Sequence, residues 1–499
     1  MSTAAPREPS LLQALLPLLL LVLLLGAAVY LYGDNASYGA NQVSLMIAGG
    51  VAALVGIRNG MRWDDIQDSL VRGISLAIVP IFILLAVGAL IGTWILSGTV
   101  PTLIVYGLKL LHPSFFFPAV CLICAIVALA IGSSWTVAGT LGVALIGVAQ
   151  GLDMSPAITA GAVISGAYFG DKMSPLSDTT NIAPAAAGSE LFEHIRHMIW
   201  TTGPSFLIAL VLFAIMGMGS QAAGVGGDAF GDLPQVLGAQ FDLGWYLLIP
   251  MAVVFALAAM RFPAFPSILI GALLGAVFAV IFQPELVVKL ADRETLARPM
   301  ALLSGAWMAM FDGYNASTGN AAVDDLLTRG GMSSMLNTVW LIVCAMGFGA
   351  VMESTGLLER MIRSVLKAAR STGSLITATL GTAIGANVVA ADQYMAIVLT
   401  GRLFRPEYEK RGLAPVNLSR ALEDGGTITS PLVPWNTCGA YMAATLGVAT
   451  LDYLPYAFFN LASPLVAAVL AYAGFKILRM PPRDSMSPEA APSTTGTRA

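Results

Sequence analysis

The sequence predicts an all-α, polytopic membrane protein with about ten full spans and two re-entrant helical hairpins, built as two inverted repeats with helices broken at mid-membrane. Composition gives the first observation: 57% of the 499 residues are hydrophobic and 11% are charged, whereas soluble domains carry about a quarter charged residues. A polar segment between two apolar regions, Ser165–Gly188, gives the second observation. The recurrence of its features 256 positions later gives the third. The net charge of −4 and the lack of a basic block argue against nucleic acid as a partner.

Loop charge assigns a side of the membrane to the ends of the first apolar runs, because short loops rich in Lys and Arg stay in the cytoplasm. The acidic loop Gly33–Asn41 is therefore expected outside, and the loop that carries Arg58, Arg62 and Arg72 is expected inside. The first run is about as long as a membrane span and no convincing cleavage site follows it, so we interpret it as a retained helix. The predicted helices are Leu11–Tyr32, Gln42–Ile57 and Ile74–Leu96, with Pro101–Leu111 at the outer surface.

Two further apolar pieces are joined by a short polar tip, and they are long enough to be two full spans. A re-entrant hairpin fits the charges better, because the next crossing then ends inside, at the basic segment Ser189–His197. The pieces are Phe115–Ile131 and Val137–Gly151, and the tip residues include Ser133, Ser134 and Thr136.

The crossing that follows, about Ala157–Gly188, is interrupted at its middle by a polar segment. Pro175 and Pro184 prevent an uninterrupted helix, because each lacks a backbone donor and clashes with the preceding turn. Non-helical backbone at membrane depth is tolerated only where it is buried in protein or lines a wet cavity. We expect one of these two environments for the break.

The second half follows an acidic, glycine-rich segment, Gly219–Asp242, which lacks Lys and Arg and is expected outside as a linker. The predicted elements on either side of this linker are the helices Ile199–Met218, Leu243–Met260 and Pro266–Phe282, the external segment Gln283–Met332, the helix Met335–Met352, a second hairpin of Leu375–Ala391 and Tyr394–Leu403, a second broken crossing over Leu418–Val448, and Leu454–Leu478. The domain boundaries expected from this order are 1–40 for the N-terminal tail and first helix, 41–218 for the first repeat, 219–263 for the external linker and connecting helix, 264–479 for the second repeat, and 480–499 for a disordered cytoplasmic tail.

Self-similarity supports the division into two repeats. The tripeptide Ser-Pro-Leu at 174–176 recurs at 430–432, and the same offset pairs Thr180 with Asn436 and Thr136 with Asp392. By loop charge the first repeat starts outside and the second starts inside, so the repeats are predicted to be inverted. Inverted repeats with broken helices are typical of secondary transporters, in which half-helix ends and unwound carbonyls bind ions. No Walker-type phosphate loop is present, so ATP is not predicted as the energy source.

The carboxylates at membrane depth are the candidates for proton coupling, because an ionised carboxylate there requires a cation, a proton or a partner. Asp171 is as well explained by pairing with Lys172 as by ion handling, whereas Asp178 lies among hydroxyls and an amide that suit a small cation. Glu423 and Asp424 are as well explained as helix caps near the cytoplasmic face as by function. The histidines fall at predicted loop positions, and no nucleophile elbow supports a hydrolase. The proton-coupling candidates are Asp171, Asp178, Asp392 and Glu353.

Four segments resemble the NhaC-type Na⁺/H⁺ antiporter family: GDKMSPLSDTTNIAPA at 170–185, SSWTVAGTLGVALIGVAQG at 133–151, ADQYMAIVLTGRLF at 391–404 and EDGGTITSPLVPWNTCGAY at 423–441. The resemblance covers about Asn41 to Leu478. It implies a multi-pass carrier of a bacterial or archaeal inner membrane that exchanges cytoplasmic Na⁺, or Li⁺, for external H⁺ by alternating access. The residues implied to handle the cation are Asp171, Ser174, Asp178, Thr179, Thr180, Asn181, Asp392, Thr429, Asn436 and Thr437.

The same family includes exchangers that couple Na⁺ or H⁺ to malate, lactate or amino acids, so a carrier of a small organic anion or amino acid is the alternative. A free cationic group at the site would favour that alternative, and Lys172 is the nearby candidate in the sequence. A non-transport role as a membrane assembly subunit is the third hypothesis. The expected partners are membrane lipid and the ions Na⁺, Li⁺ and H⁺, with a homodimer left open. No enzymatic activity and no cofactor are predicted, and both termini are expected in the cytoplasm.

Overall fold

The computed structural model describes residues 7–32, 36, 38–222, 233–291 and 296–480. Over these residues the chain is helical, and the β-type pairing there consists of two isolated bridges, Tyr314 with Arg329 and Leu413 with Arg479. Nine of the described helices are long and apolar enough to cross a membrane, or up to eleven if each of two bent helix pairs counts as one span. The predicted all-α polytopic class is therefore confirmed. The predicted tail from 481 onwards and part of the linker, 223–232, lie outside the described residues.

The helices of the first half largely follow the apolar runs, but two of them begin earlier than predicted. Charged residues that were interpreted as loops lie in α3 and α11. Asp64 and Asp65 occupy the first turn of α3, where the helix dipole favours negative charge. The helices are α1 Leu11–Tyr32, α2 Ala40–Arg58, α3 Trp63–Leu76, α4 Ile78–Leu96, α5 Thr99–Leu110, α6 Phe116–Ile131, α7 Ser134–Val137, α8 Val143–Gly151, α9 Pro156–Met173, α10 Asp178–Ala187, α11 Leu191–Ala222, α12 Leu233–Gln240 and α13 Ile249–Ala259.

The early start of α11 overturns the placement of two histidines in a loop. His194 and His197 lie within this helix, and both are buried. A cytoplasmic loop at Ser189–His197 is therefore wrong beyond Glu190. The third histidine, His112, precedes a short 3₁₀ turn and accepts a hydrogen bond from the backbone N–H of Ser114.

In the second half, the segment Gln283–Met332 was predicted as an external stretch, and the structure shows three helices in it. Five of its charged residues lie on these helices, so charge density there does not mark a loop: Glu285, Lys289, Arg298, Asp324 and Asp325. The helices are α14 Ala264–Phe282, α15 Pro284–Ala291, α16 Arg298–Phe311, α17 Ala321–Leu327, α18 Leu336–Ser354, α19 Leu357–Ala368, α20 Thr372–Val389, α21 Gln393–Lys410, α22 Pro415–Leu422, α23 Thr437–Leu446, α24 Thr450–Tyr453 and α25 Phe458–Tyr472.

Both crossings break where they were predicted to break. The first has an extended gap between the end of α9 at Met173 and the start of α10 at Asp178. The second passes from α22 into a π-helical turn, Glu423–Thr427, and then a 3₁₀ turn, before α23 begins at Thr437. Each break turns two half-helix ends toward the inside of the protein.

Helix ends recur between the two halves at an offset of 258 or 259 rather than 256. Left-handed glycines start α5 at Gly98 and α19 at Gly356, and others end α10 at Gly188 and α23 at Gly447. The residues that cap the helices after the hairpin tips are Ser133 and Asp392. The predicted pairs Thr136 with Asp392 and Thr180 with Asn436 are therefore three positions out of register. The offset of 256 holds for the Ser-Pro-Leu tripeptide alone. The π-helical turn and the longer gap of the second crossing change the position of the tripeptide relative to the helix ends.

The two halves exchange helices. The helix α16 packs on α4, and its counterpart at this offset, α2, packs on α18, which is the counterpart of α4. In the same way α10 packs on α21, while α23 packs on the π-helical segment Ala138–Gly142 and α8 of the first hairpin. Reciprocal contacts of this kind are what a two-fold relation between like units produces. The predicted architecture of two repeats with broken crossing helices is confirmed.

Close packing holds the first hairpin against the first crossing. A Cβ atom added at Gly166 would meet the carbonyl oxygen of Cys121, and one at Gly170 would meet the carbonyl oxygen of Ala125. Small residues that allow backbones to approach in this way are typical of helix pairs in membranes. The hairpin tip is thereby fixed beside the break in the first crossing.

Candidate functional site

A cavity of about 570 Å³ lies where the two hairpin tips and the first break meet. Its walls come from both repeats and from the turn between α13 and α14. The hairpin-tip residues Ser133, Ser134 and Thr136 line it. Of the ten residues predicted to handle a cation, six line this cavity: Asp171, Asp178, Thr179, Asn181, Asp392 and Thr437.

Asp171 sits in the last turn of α9, buried, and faces the tip of the first hairpin. Its Oδ2 accepts hydrogen bonds from the Ser134 hydroxyl at 2.6 Å and from the Ser134 backbone N–H at 3.3 Å. Ser134 is the first residue of α7, so the carboxylate also lies at the positive end of a helix dipole. Charge-assisted hydrogen bonds of this kind hold a carboxylate in a fixed orientation.

Asp392 lies at the tip of the second hairpin, in the position that Ser133 has at the first tip, and caps α21. Its Oδ1 accepts hydrogen bonds from the backbone N–H groups of Tyr394 at 2.9 Å and Met395 at 3.0 Å. Its Oδ2 accepts a hydrogen bond from the Thr437 hydroxyl at 3.2 Å. Thr437 is the first residue of α23, so this contact joins the second tip to the second break.

The two carboxylates are not equivalent under the repeat. The offset of 259 places Ser134 on Gln393 and Asp171 on Ser430, and the Ser430 hydroxyl donates to Gln393 Oε1 at 3.2 Å. The contact between tip and crossing therefore recurs, but with two neutral partners. Each repeat thus contributes its buried carboxylate from a different place, Asp171 from the crossing and Asp392 from the tip.

The remaining cavity residues of the first break offer oxygen atoms. Asp178, at the start of α10, is exposed to the cavity, and the Thr179 hydroxyl lies 3.1 Å from that of Ser177. Asn181 donates its amide nitrogen to the carbonyl oxygens of Pro175 and Ser177, which leaves its amide oxygen for a ligand. Carboxylates, hydroxyls and amide oxygens are the donors that hard cations prefer.

The other predicted residues do not line the cavity, and most of them stabilise the breaks. Thr180 donates to the carbonyl oxygens of Asp171 and Lys172, at the end of α9. Thr429 donates to the carbonyl oxygen of Gly425, and Asn436 caps α23 through the backbone N–H of Cys438. Ser174 is buried and accepts from the backbone N–H of Leu176, while Glu353 is half-buried at the end of α18.

Lys172 does not pair with Asp171. Its ammonium group is fully buried and forms an ion pair with Asp424, with a further contact of 3.3 Å to the Ser463 hydroxyl. Asp424 and Glu423 are also fully buried within the π-helical turn, so neither is a cap near the cytoplasmic surface. In the sequence, these two acidic residues are visible as the run Glu-Asp-Gly-Gly shortly before the second Ser-Pro-Leu tripeptide.

Further residues that line the cavity were missed from the sequence. Gln393 and Tyr394 follow the second tip, and Trp135 follows the first. The ring of Trp135 stacks on Tyr441 with centroids 4.0 Å apart, and the Tyr441 hydroxyl donates to the Trp135 carbonyl oxygen at 2.9 Å. Arg261, exposed in the turn between α13 and α14, also lines the cavity. Nothing in their spacing distinguishes these residues from packing residues.

Among the residues that the structure describes, no group of three or more His, Cys, Asp or Glu side chains could hold a metal ion. The donors at the cavity are instead two buried carboxylates, one exposed carboxylate, hydroxyls and an amide. Such a set suits a hard cation, because it offers oxygen donors and not the thiolate or imidazole ligands that transition metals prefer.

Comparison with known proteins is consistent with this geometry. The model of the Na⁺/H⁺ antiporter family matches residues 166–475, which include both breaks and the second hairpin. This chain belongs to the Na⁺/H⁺ antiporter family. The family predicted from the four motifs is thereby confirmed.

Relatives that are named for different substrates align with most of this chain. The Na⁺/H⁺ antiporter NhaC of Alkalihalophilus pseudofirmus is 41% identical over 87% of this chain and 91% of its own length. The malate-2H⁺/Na⁺-lactate antiporter of Bacillus subtilis is 37% identical over 87% of this chain and 89% of its own. The arginine/ornithine antiporter ArcD of Halobacterium salinarum is 35% identical over 96% of this chain and 95% of its own.

Proposed function

We propose that this chain exchanges cytoplasmic Na⁺, or Li⁺, for external H⁺ by alternating access. The observation that carries the proposal is the cavity in which Asp171 and Asp392, one from each repeat, lie with the hydroxyls of Ser134 and Thr437. Membership of the antiporter family and the 41% identity to a Na⁺/H⁺ antiporter support it.

Competition between the two ions follows from the cost of a charged group at membrane depth. An unneutralised carboxylate there costs several kcal/mol, so the buried carboxylates of this region favour a bound Na⁺ or a bound proton over neither ion. A conformational change that requires these charges to be neutralised therefore occurs with either ion bound, and exchange results. The positive ends of α7 and α21 hold the two carboxylates in place while the ion changes.

The orientation in the membrane follows from the basic residues. Arg261 lines the cavity, and the rest of its wall includes Leu76 and Pro80, close to Arg72 at the end of α3. Basic residues favour the cytoplasmic side, so the cavity opens to the cytoplasm and both termini lie there. The repeats span 41–218 and 264–479, which the exchange of α2 and α16 between the halves supports.

A carrier of a small organic anion is the second candidate, and Arg261 is the observation that favours it. Lys172, which was the cationic candidate in the sequence, is paired with Asp424 and is therefore not free for a substrate. Arg261 is exposed where it lines the cavity, so its guanidinium could hold a carboxylate. The malate-2H⁺/Na⁺-lactate relative fits this candidate.

Proteoliposomes that contain a pH-sensitive dye distinguish the two candidates. A Na⁺ or Li⁺ gradient is expected to move protons in the opposite direction without any organic acid, and Asp171→Asn is expected to abolish this movement. The exposed carboxylate of Asp452, in α24, provides the matched control Asp452→Asn, which should retain exchange. If malate or lactate moves protons and Na⁺ alone does not, the proposal is wrong and the second candidate stands.

A further inference from the structure

A second group of buried ionisable residues lies on the far side of α9 from the cavity. It contains the Lys172–Asp424 ion pair and Glu423, and none of these three residues lines the cavity. Asp171 and Lys172 are adjacent in α9, so one turn of helix carries a side chain to each of the two places. We call this group the rear cluster.

Glu423 is the unexplained member of the rear cluster. Its side chain is fully buried, and neither carboxylate oxygen has a hydrogen-bond donor among the residues that the structure describes. The Thr427 hydroxyl beside it is also buried without a well-formed hydrogen bond. Asp424, in contrast, is held through Oδ1 by Lys172 and by the Ser463 hydroxyl at 2.8 Å.

Charge balance explains what Glu423 must carry. Lys172 and Asp424 neutralise each other, so an ionised Glu423 would be an uncompensated charge in the protein interior. Such a charge costs far more than a neutral group, and a buried carboxyl without a partner takes up a proton instead. The missing hydrogen-bond donors at Glu423 agree with a carboxylic acid rather than a carboxylate in this inward-open state.

Within the described part of the chain, the elements that pack most closely against this turn supply no other ionic partner for Glu423. The helices α20 and α25 carry no Asp, Glu, Lys, Arg or His, and Asp178 of α10 is exposed in the cavity. The charged residues of α21 all lie in the second half of that helix, from Arg402 to Lys410. The remaining ionisable groups around the cluster are Asp171, Arg420, His194 and His197, and they interact with Lys172, Asp424 or Glu423 at longer range.

We propose that Glu423 carries the exchanged proton, while the cation binds separately at Asp171 and Asp392 in the cavity. This proposal rests on the proposed exchange of Na⁺ for H⁺ and names the residue that holds one of the two ions. The proton leaves Glu423 as Lys172 shifts between Asp424 and the newly ionised Glu423. The cluster then carries one net negative charge, which the positive charge of the cation bound at Asp171 and Asp392 offsets. Its π-helical turn is suited to such a shift, because single π turns occur mostly at functional sites.

The neighbouring positions of Asp171 and Lys172 couple the two ions. Both residues lie in the last turn of α9, whose end is held by the Thr180 hydroxyl. A cation that draws Asp171 into the cavity therefore displaces the backbone that carries Lys172. Cation binding in front of α9 and proton release behind it then belong to one movement.

Glu423→Gln in proteoliposomes tests this assignment, with Glu193→Gln as the matched control at an exposed Glu of α11. The glutamine variant is expected to bind Na⁺ and to retain exchange of labelled Na⁺ for unlabelled Na⁺, but to lose proton movement driven by Na⁺. The control should retain both activities. If Glu423→Gln still moves protons at the rate of the wild type, Glu423 is not the proton carrier.

Two further measurements keep the outcome decisive. If the wild type moves no protons with Na⁺, the proposed function fails, which is distinct from failure of Glu423 alone. If Glu423→Gln does not fold, Glu423→Asp replaces it, because the shorter carboxyl stays titratable in a changed position. Its exchange is expected to persist with a shifted pH midpoint, and an unshifted midpoint would overturn the proposal.

Discussion

Asp171 and Lys172 are neighbours in the sequence, yet they serve different parts of the molecule. Consecutive residues of an α-helix point about 100° apart, so the last turn of α9 sends Asp171 to the cavity and Lys172 to Asp424. The sequence predicted that this segment is functional, because charges at membrane depth are rare. It did not predict the partner of Lys172, which lies 252 positions away, since no local pattern encodes such a contact.

The buried ion pair predicts a large effect of Lys172→Met. Removal of one partner leaves Asp424 uncompensated, so we expect a loss of about 3–5 kcal/mol in the free energy of unfolding. The exposed Lys109 of α5 gives the matched control Lys109→Met, for which little change is expected. Unfolding of the purified protein in detergent measures both. The double variant Lys172→Met with Asp424→Leu should recover part of the loss. If Lys172→Met lowers the free energy of unfolding by no more than Lys109→Met does, the ion pair does not stabilise the fold.

At the scale of elements, the sequence predicted helix interiors well and helix ends less well. Apolar runs give the spans, because only helices satisfy their own backbone within a membrane. The ends of α3 and α11, and all of α15 and α17, were missed because charged residues were taken as loops. Long charged side chains at helix ends extend their heads to water while the backbone remains helical, so charge alone does not end a helix. The two breaks were predictable, since proline and polar residues mark them.

The hairpin tips provide a prediction at this scale. Gly132, with φ of 76°, and Ala391, with φ of 57°, occupy corresponding left-handed positions. A Cβ atom at Gly132 would lie 2.7 Å from Leu176 Cβ and 2.9 Å from the Ser177 backbone nitrogen. Gly132→Ala is therefore expected to cost more than the ~1–2 kcal/mol of left-handed strain and to reduce exchange, whereas Ala391→Gly relieves strain and should be tolerated.

Thermal unfolding and the proteoliposome assay, applied to both tip variants, measure this difference. The two substitutions are the reverse of each other at equivalent sites, so each serves as the control for the other. Equal tolerance of Gly132→Ala and Ala391→Gly would show that the first tip does not need its close contact with the break.

For the whole molecule, the two-repeat plan was visible in the sequence, while the register and the contacts between repeats were not. The Ser-Pro-Leu tripeptide and two residue pairs recurred in order at one offset, which was enough to predict repeats. The three-position error arose because the tripeptide was the most conspicuous match, whereas helix caps define the structural register. The stacking of Trp135 on Tyr441 joins the first hairpin to the second crossing, and aromatic residues in apolar runs carry no sign of such a partner.

The proposed orientation predicts one-sided access to the cavity. In a background with Cys344 replaced, because the other native cysteines are buried, Arg261→Cys should react with a membrane-impermeant thiol reagent only from the cytoplasmic side. Asp452→Cys, at an exposed position after the second crossing, is the control and should react only from outside. Labelling of sealed vesicles of both orientations measures this. Labelling of both positions from the same side would contradict the topology.

The size of the cavity has a consequence for how an ion is chosen. Its volume of about 570 Å³ is far larger than the ~30 Å³ that one water molecule occupies in the liquid. An alkali ion can therefore enter the cavity with its hydration shell intact. It exchanges those waters for protein oxygens only beside Asp171 and Thr437. Selection among ions then occurs at the inner end of a wide cavity rather than at its entrance. Bulky organic cations are expected to enter the cavity and to block transport.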